Sequence, residues 1–185
     1  RRQRQMCIRD RDPGGADGVV ILDNDGVHLG IASQPYSFAR TAKKALKNSR
    51  EIIAQCIGAQ PEEIFFTSGG TESNNWAIKG IAFSDPVKHA FITSVIEHHA
   101  ILRPCADIER MGHPVSYLPV DYTGTVNIET LAENINSDTR LVSVMTANNE
   151  IGSVQDIPAL AAIAHSCGAI FHTDAVQAAV SYTHL

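Results

Sequence analysis

The chain has 185 residues, of which 44% are hydrophobic and 19% charged, so it is long and apolar enough for one packed domain or a piece of a larger one. Its four cysteines, Cys7, Cys56, Cys105 and Cys167, lie far apart with no Cys-x-x-Cys pair, which sets aside a disulfide scaffold and a cysteine-based zinc site. The formal net charge of -5 argues against nucleic acid as a main partner, and no apolar run reaches the roughly 18 residues of a membrane helix.

The charge is uneven. Arg1, Arg2, Arg4, Arg9 and Arg11 are opposed only by Asp10 at the front, leaving the rest of the chain more acidic than the total. This leader lacks the serines and amphipathic repeat of a transit peptide before Pro13-Gly14-Gly15. Residues 1–17 are therefore expected to be a disordered or foreign segment.

From Phe38 to Ile57 apolar residues recur at helical spacing, with Gly58 as a stop. Ile64–Thr67 is short, apolar and aromatic and reads as a strand. Thr71–Ala82 reads as helix and Ala90–Thr93 as strand. Ala100–Met111 is a helix closed by Gly112, and Val115–Pro119 a strand. Asp121 to Gly124 carries turn chemistry. Glu129–Ile135 is a short helix and Leu141–Met145 a strand. Asp156 is placed to cap a helix with Pro158 in its first turn, running to Cys167, and Ala169–His172 is the last strand. Strands alternating with helices predict an α/β fold, a mostly parallel sheet with helices on both faces. Ligands bind such sheets beyond the carboxyl ends of the strands.

Four constellations fall at those ends. Thr67-Ser68-Gly69-Gly70-Thr71-Glu72-Ser73 joins a strand to a helix, where glycines and a helix N-terminus can cradle an anion and Ser68, Thr71 and Ser73 offer hydroxyls. It is neither a Walker A loop nor G-x-G-x-x-G, and a plain capped turn has the same composition. Glu97-His98-His99 offers either a helix-capping imidazole or one that stacks on an aromatic ligand or moves protons. Asn148-Asn149-Glu150 supplies carboxamides, although these are also ordinary loop residues. In Phe171-His172-Thr173-Asp174-Ala175-Val176-Gln177, a carboxylate at a buried strand end calls for a facing cation. His172 and Asp174 without a third ligand make a weak metal site. Taken together, a phosphate cradle, an imidazole, a carboxamide and a carboxylate fit a phosphorylated cationic heteroaromatic. Pyridoxal 5'-phosphate is such a ligand.

Phe65 to Gly80, Glu97-His98, Val144 to Ile157 and Phe171 to Ala178 closely resemble the cysteine desulfurases of the NifS type, in the class V aminotransferase group of fold-type-I pyridoxal-phosphate enzymes. The resemblance runs from about Ser33 to Ala179, with four motifs in the family's order. It implies that Gly70 and Thr71 hold the phosphate, His98 stacks on the ring, and Asn149 lies near the phenolic oxygen and substrate. It also implies that Asp174 pairs with the ring nitrogen and Gln177 bonds the phenolic oxygen. His98 is the candidate catalytic residue. Glu72, His99, Glu150 and His172 are expected in structural roles.

The implied activity converts L-cysteine to L-alanine, with sulfur carried as an enzyme persulfide to a sulfur-acceptor protein for iron–sulfur cluster or thiolation pathways. The implied setting is a cytoplasmic homodimer. Selenocysteine lyase, or another class V member, shares these motifs.

The family's cofactor-bearing lysine and sulfur-accepting cysteine have no match here. Lys43, Lys44, Lys47, Lys79 and Lys88 all precede the site, and Cys56, Cys105 and Cys167 read as buried packing residues. Val20 to Asn24 resembles the family's opening strand, but its continuation and residues 180–185 do not match. Both ends resemble translated adaptor read-through. The expectation is a chain truncated at both ends, with 18–179 a partial pyridoxal-phosphate-binding large domain and 180–185 an unmatched tail. Such a piece is expected to be inactive, and a non-catalytic cofactor-binding or dimerisation role is the third reading.

Overall fold

The computed structural model describes residues 39–84, 87 and 89–181. The expectations for residues 1–17, for the opening strand and for 182–185 lie outside them. The chain divides into two compact units, one ending at Phe66 and one beginning at Thr67.

The first unit contains α1, Ala39–Ile57, and a single 3-10 turn at Pro61–Glu63. Gln60 N–H donates to the Glu63 carboxylate at 2.7 Å, which holds that turn. The predicted strand at Ile64–Thr67 is not formed. Instead Arg50 Nε donates to the Ile64 carbonyl at 3.0 Å, and the guanidinium lies 5.2 Å from the Phe66 ring centroid. A second expectation also fails here: Cys56 is exposed, not buried. Ala54, two residues earlier, is buried. A step of about 200° round the helix carries Cys56 to the opposite face.

The second unit is built on a parallel sheet of order β2-β1-β3-β4, with β1 Ala90–Ser94, β2 Val115–Leu118, β3 Thr139–Ser143 and β4 Ile170–His172. The helices are α2 Gly70–Phe83, α3 His99–Arg110, α4 Ile128–Asn134, α5 Ile157–Ser166 and α6 Val176–Ser181. Neighbouring strand residues point to opposite faces. Phe91 and Leu141 pack with Ile78, Ile101, Cys105 and Ile108 of α2 and α3. Ile92 and Val142 pack with Leu131 of α4 and Leu160 and Ala164 of α5. Both faces are thus covered, as a parallel sheet requires, and the predicted α/β class is what forms. Cys105 belongs to this core, whereas Cys167 at the end of α5 is only half-buried.

Local chemistry sets the element boundaries. Asp156 Oδ1 accepts from Ala159 N–H and caps α5, as predicted, while Asn127 Oδ1 accepts from Glu129 and Thr130 N–H and caps α4. Asp121 Oδ1 accepts from Thr123 N–H, the Thr123 hydroxyl and Thr125 N–H, which ties the predicted turn and holds this carboxyl below its ordinary range. Beyond the last ladder residues of β3 the backbone stays paired. Val144 N–H donates to His172 O and Thr146 N–H to Asp174 O, at 3.1 and 3.0 Å. These bonds bring the segments after β3 and β4 side by side.

Candidate active site

The carboxyl ends of β1, β3 and β4 and the N-terminus of α2 converge on a cleft of about 140 Å³. Gly70, Thr71, His98, Asn149, Asp174 and Gln177, all six residues singled out in the sequence, line it. Asn74, Ala100, Met145, Ala147 and Val176 complete the wall.

The anion end is the start of α2. Gly69, its N-cap, has no side chain to satisfy the first N–H groups, so those of Gly70 and Thr71 remain available at the positive end of the helix dipole. A Cβ built on Gly70 would lie 2.7 Å from Val176 Cγ2, so any larger residue would force that side chain to shift. The loop's hydroxyls are arranged differently from expectation. Ser68 Oγ donates to Glu72 Oε2 at 2.7 Å, and Ser73 Oγ pairs with Thr67 Oγ1 at 2.7 Å. Each is occupied in shaping the loop, which leaves backbone N–H groups and the Thr71 hydroxyl for an anion. Glu72 takes its expected structural role, its carboxyl held below the ordinary range by Ser68.

Asp174 is the opposite pole. It is 9% exposed, Oδ1 accepts from Val176 N–H at 3.0 Å, and Oδ2 accepts from Asn74 Nδ2 at 2.8 Å. Among the described residues no lysine or arginine pairs with it. A carboxylate sequestered in this way suits a cationic ligand group. Asn74 escaped the sequence reading although it left a signal. Asn74, Ile78 and Ala82, spaced by four, are the buried residues of α2, and a carboxamide in that apolar stripe requires a partner.

His98 is the N-cap of α3, where its Nδ1 accepts from Ala100 N–H at 3.1 Å. That bond puts the proton of the neutral ring on Nε2, so the imidazole is oriented while its faces stay exposed. The two asparagines divide their work. Asn148 Oδ1 accepts from Glu150 and Ile151 N–H while its Nδ2 donates to Ile96 O at 2.9 Å. Asn149 takes no part in these bonds and lines the cleft. His172 Nδ1 meets Ser143 Oγ at 2.9 Å, and burial holds this imidazole below its usual range, in keeping with a structural role. None of the cleft-lining residues is a lysine. Lys79 pairs with Asp107 at 2.7 Å, and Lys43, Lys44 and Lys47 belong to α1.

The donor set fits a phosphorylated, cationic heteroaromatic: N–H groups at one pole, a carboxylate with no lysine or arginine partner among the described residues at the other, an oriented imidazole, and the carboxamides of Asn149 and Gln177 along the sides. Together with the doubly covered parallel sheet, this defines an α/β protein with a ligand cleft at the carboxyl edge of its strands.

Residues 27–184 match the family model described as aminotransferase class-V, and the chain belongs to that family. It is 51% identical over 153 residues to a cysteine desulfurase IscS of Methanosarcina thermophila, covering 82% of this chain and 38% of that protein. It is 50% identical over 151 residues to the cysteine desulfurase IscS of Dictyoglomus turgidum, again covering 38% of it. Among solved structures, a NifS-like protein superimposes with a TM-score of 0.76 at 37% identity, covering 79% of this chain and 41% of that one. SspA in complex with cysteine gives 0.76 at 42% identity, covering 78% and 42%. The chain thus spans about two fifths of the length of these relatives. Among the described residues no helix is long and apolar enough to cross a membrane.

Proposed function

We propose that this chain supplies the cofactor-binding part of a pyridoxal 5'-phosphate-dependent cysteine desulfurase, with residues 18–179 forming part of the large domain. The observation that carries the proposal is the pairing of uncapped N–H groups at Gly70 and Thr71 with an unneutralised, buried Asp174 across one cleft. When bound, the cofactor supplies an electron sink for bond cleavage at a substrate's α-carbon. The N–H groups of Gly70 and Thr71 would bind its phosphate. Asp174 would keep the ring nitrogen protonated, with Asn74 and Val176 N–H fixing the carboxylate's orientation. His98 would lie against the ring with its tautomer set by Ala100 N–H, Gln177 would bond the phenolic oxygen, and Asn149 would lie near that oxygen and the substrate. In the whole protein the substrate is L-cysteine, the products L-alanine and sulfur for an acceptor protein, and the assembly a cytoplasmic homodimer. Identity of about half to cysteine desulfurases supports that choice within the family.

The test is a fluorescence titration of the 185-residue chain and of Asp174→Asn with pyridoxamine 5'-phosphate, which cannot condense with lysines. Losing a charge-assisted hydrogen bond of about 1.5–3 kcal/mol should weaken binding about 10- to 100-fold. Equal affinity of the two proteins, or no saturable binding by the parent chain, would refute the assignment.

A further inference from the structure

Glu97 lies directly before His98 and is only 4% exposed. Its Oε1 accepts two hydrogen bonds, from Ser94 Oγ at 2.6 Å and from Met145 N–H at 2.8 Å. Its Oε2 is buried with no partner, and no cation pairs with the group among the described residues. An ionised carboxylate distributes charge over both oxygens, so leaving one dry and unbonded is costly. The neutral acid leaves only an O–H unmatched, and its carbonyl oxygen still takes both donors.

The same side chain is a mechanical link. Glu97 Oε1 to Met145 N–H, together with Asn148 Nδ2 to Ile96 O, joins the turn bearing His98 to the strand extension leading to Asn149. Glu97 thus makes one of the two bonds that tie the turn bearing His98 to the segment leading to Asn149.

Resting on the cofactor reading above, we infer that Glu97 is a positioning residue that carries a proton in the ligand-free chain, and that this proton is held less tightly once a cation pairs with Asp174. Burial pushes the Glu97 carboxyl up to about 7; the Ser94 and Met145 bonds oppose this, and the charge of Asp174 adds to it. Three other titratable groups belong to this environment. Cys105 of α3 stays a neutral thiol, pushed up to about 12 by burial and then by Glu97 and Glu109. His172 is shifted below its usual range by burial, against an opposing pull from Asp174. Asp174 is thus the neighbour whose net charge a cationic ring would change. Neutralising it removes the repulsion that helps keep Glu97 protonated.

Difference infrared spectroscopy of the full 185-residue chain against Glu97→Gln reads this proton directly. The expected signal is a carboxylic C=O band present at pH 5, absent from Glu97→Gln and titrating near neutrality. Its midpoint should move to lower pH when pyridoxamine 5'-phosphate binds, with binding followed separately by ring fluorescence. Absence of the band at pH 5, or a midpoint unmoved by bound ligand, overturns the inference and leaves the cofactor reading standing. Absence of ligand binding to the parent chain overturns that reading, and the coupling of Glu97 to a ring falls with it.

Discussion

Asn74 is the residue whose removal tests the site's architecture most directly. Its carboxamide donates to Asp174 Oδ2 at 2.8 Å, and the two residues are 4% and 9% exposed. Asn74→Ala removes a hydrogen bond to a charged acceptor and leaves a small void, a loss of about 1.5–3 kcal/mol. At about 2–4 °C per kcal/mol for a chain of this size, the melting temperature should fall by about 3–12 °C. Asn74→Asp is the sharper variant, because it sets two buried carboxylates face to face. One of them must retain a proton, so its folded pKa rises above the unfolded value of about 3.9. A raised acid pKa leaves stability intact below the unfolded pKa and removes it as pH climbs through the folded one. The Asp variant should therefore approach the parent at pH 4 and fall below Asn74→Ala at pH 8. Urea denaturation of the three proteins at both pH values measures this. An Ala variant within about 0.5 kcal/mol of the parent, or an Asp variant with no added pH dependence, would refute the role given to Asn74.

Glu97 predicts a pH dependence of its own. Its carboxyl, raised from 4.5 to about 7, leaves stability intact below pH 4.5 and removes it progressively up to about pH 7, a total of about 3 kcal/mol. Denaturation at pH 5 and pH 8 should show the difference between parent and Glu97→Gln moving in the variant's favour by about 2.5 kcal/mol, the part of the loss that falls above pH 5. Gln155, 5% exposed, accepts from Val126 N–H and donates to Gly124 O, both at 2.8 Å. Gln155→Ala should cost about 2–4 kcal/mol by stranding two backbone groups, and hydrogen exchange at Val126 should accelerate. Unchanged exchange there would show that the link is not holding the loop.

The residues legible in the sequence share one property: their chemistry is announced by position after a strand. Gly70, His98, Asn149 and Asp174 each follow an apolar run or open a helix, and the fold brings those points to one sheet edge whatever the intervening contacts are. The turn at Asp121 and the caps of α4 and α5 depend on neighbours within four residues, which is why local chemistry suffices to place the Asp121 turn and the Asp156 cap. Ile64–Thr67 shows the limit of that reasoning. Apolar, aromatic composition describes what a strand accepts, but a strand also needs a ladder partner, and Arg50 of α1 takes the Ile64 carbonyl instead.

Asn74, Glu97 and Gln155 were hidden for a related reason. Asn74 and Gln155 bond across 100 and 29 to 31 residues, and Glu97, besides its local bond to Ser94, bonds across 48, so the partners that hold these side chains lie mostly far away in the chain. Glu97 is the plainest case. Next to His98 and His99 it reads as one more polar residue of a surface turn, and only the packing of that turn against the β3 extension makes it a buried acid. The cleft-lining residues singled out by position are thus written locally. The residues that orient them, Asn74 on Asp174 and Glu97 behind His98, exist as such only once the sheet has closed. It follows that a variant of an orienting residue should leave the cleft's contact atoms present while shifting their protonation or direction. Titration of Glu97→Gln and Asn74→Asp would expose that change, whereas a survey of cleft contacts alone would miss it.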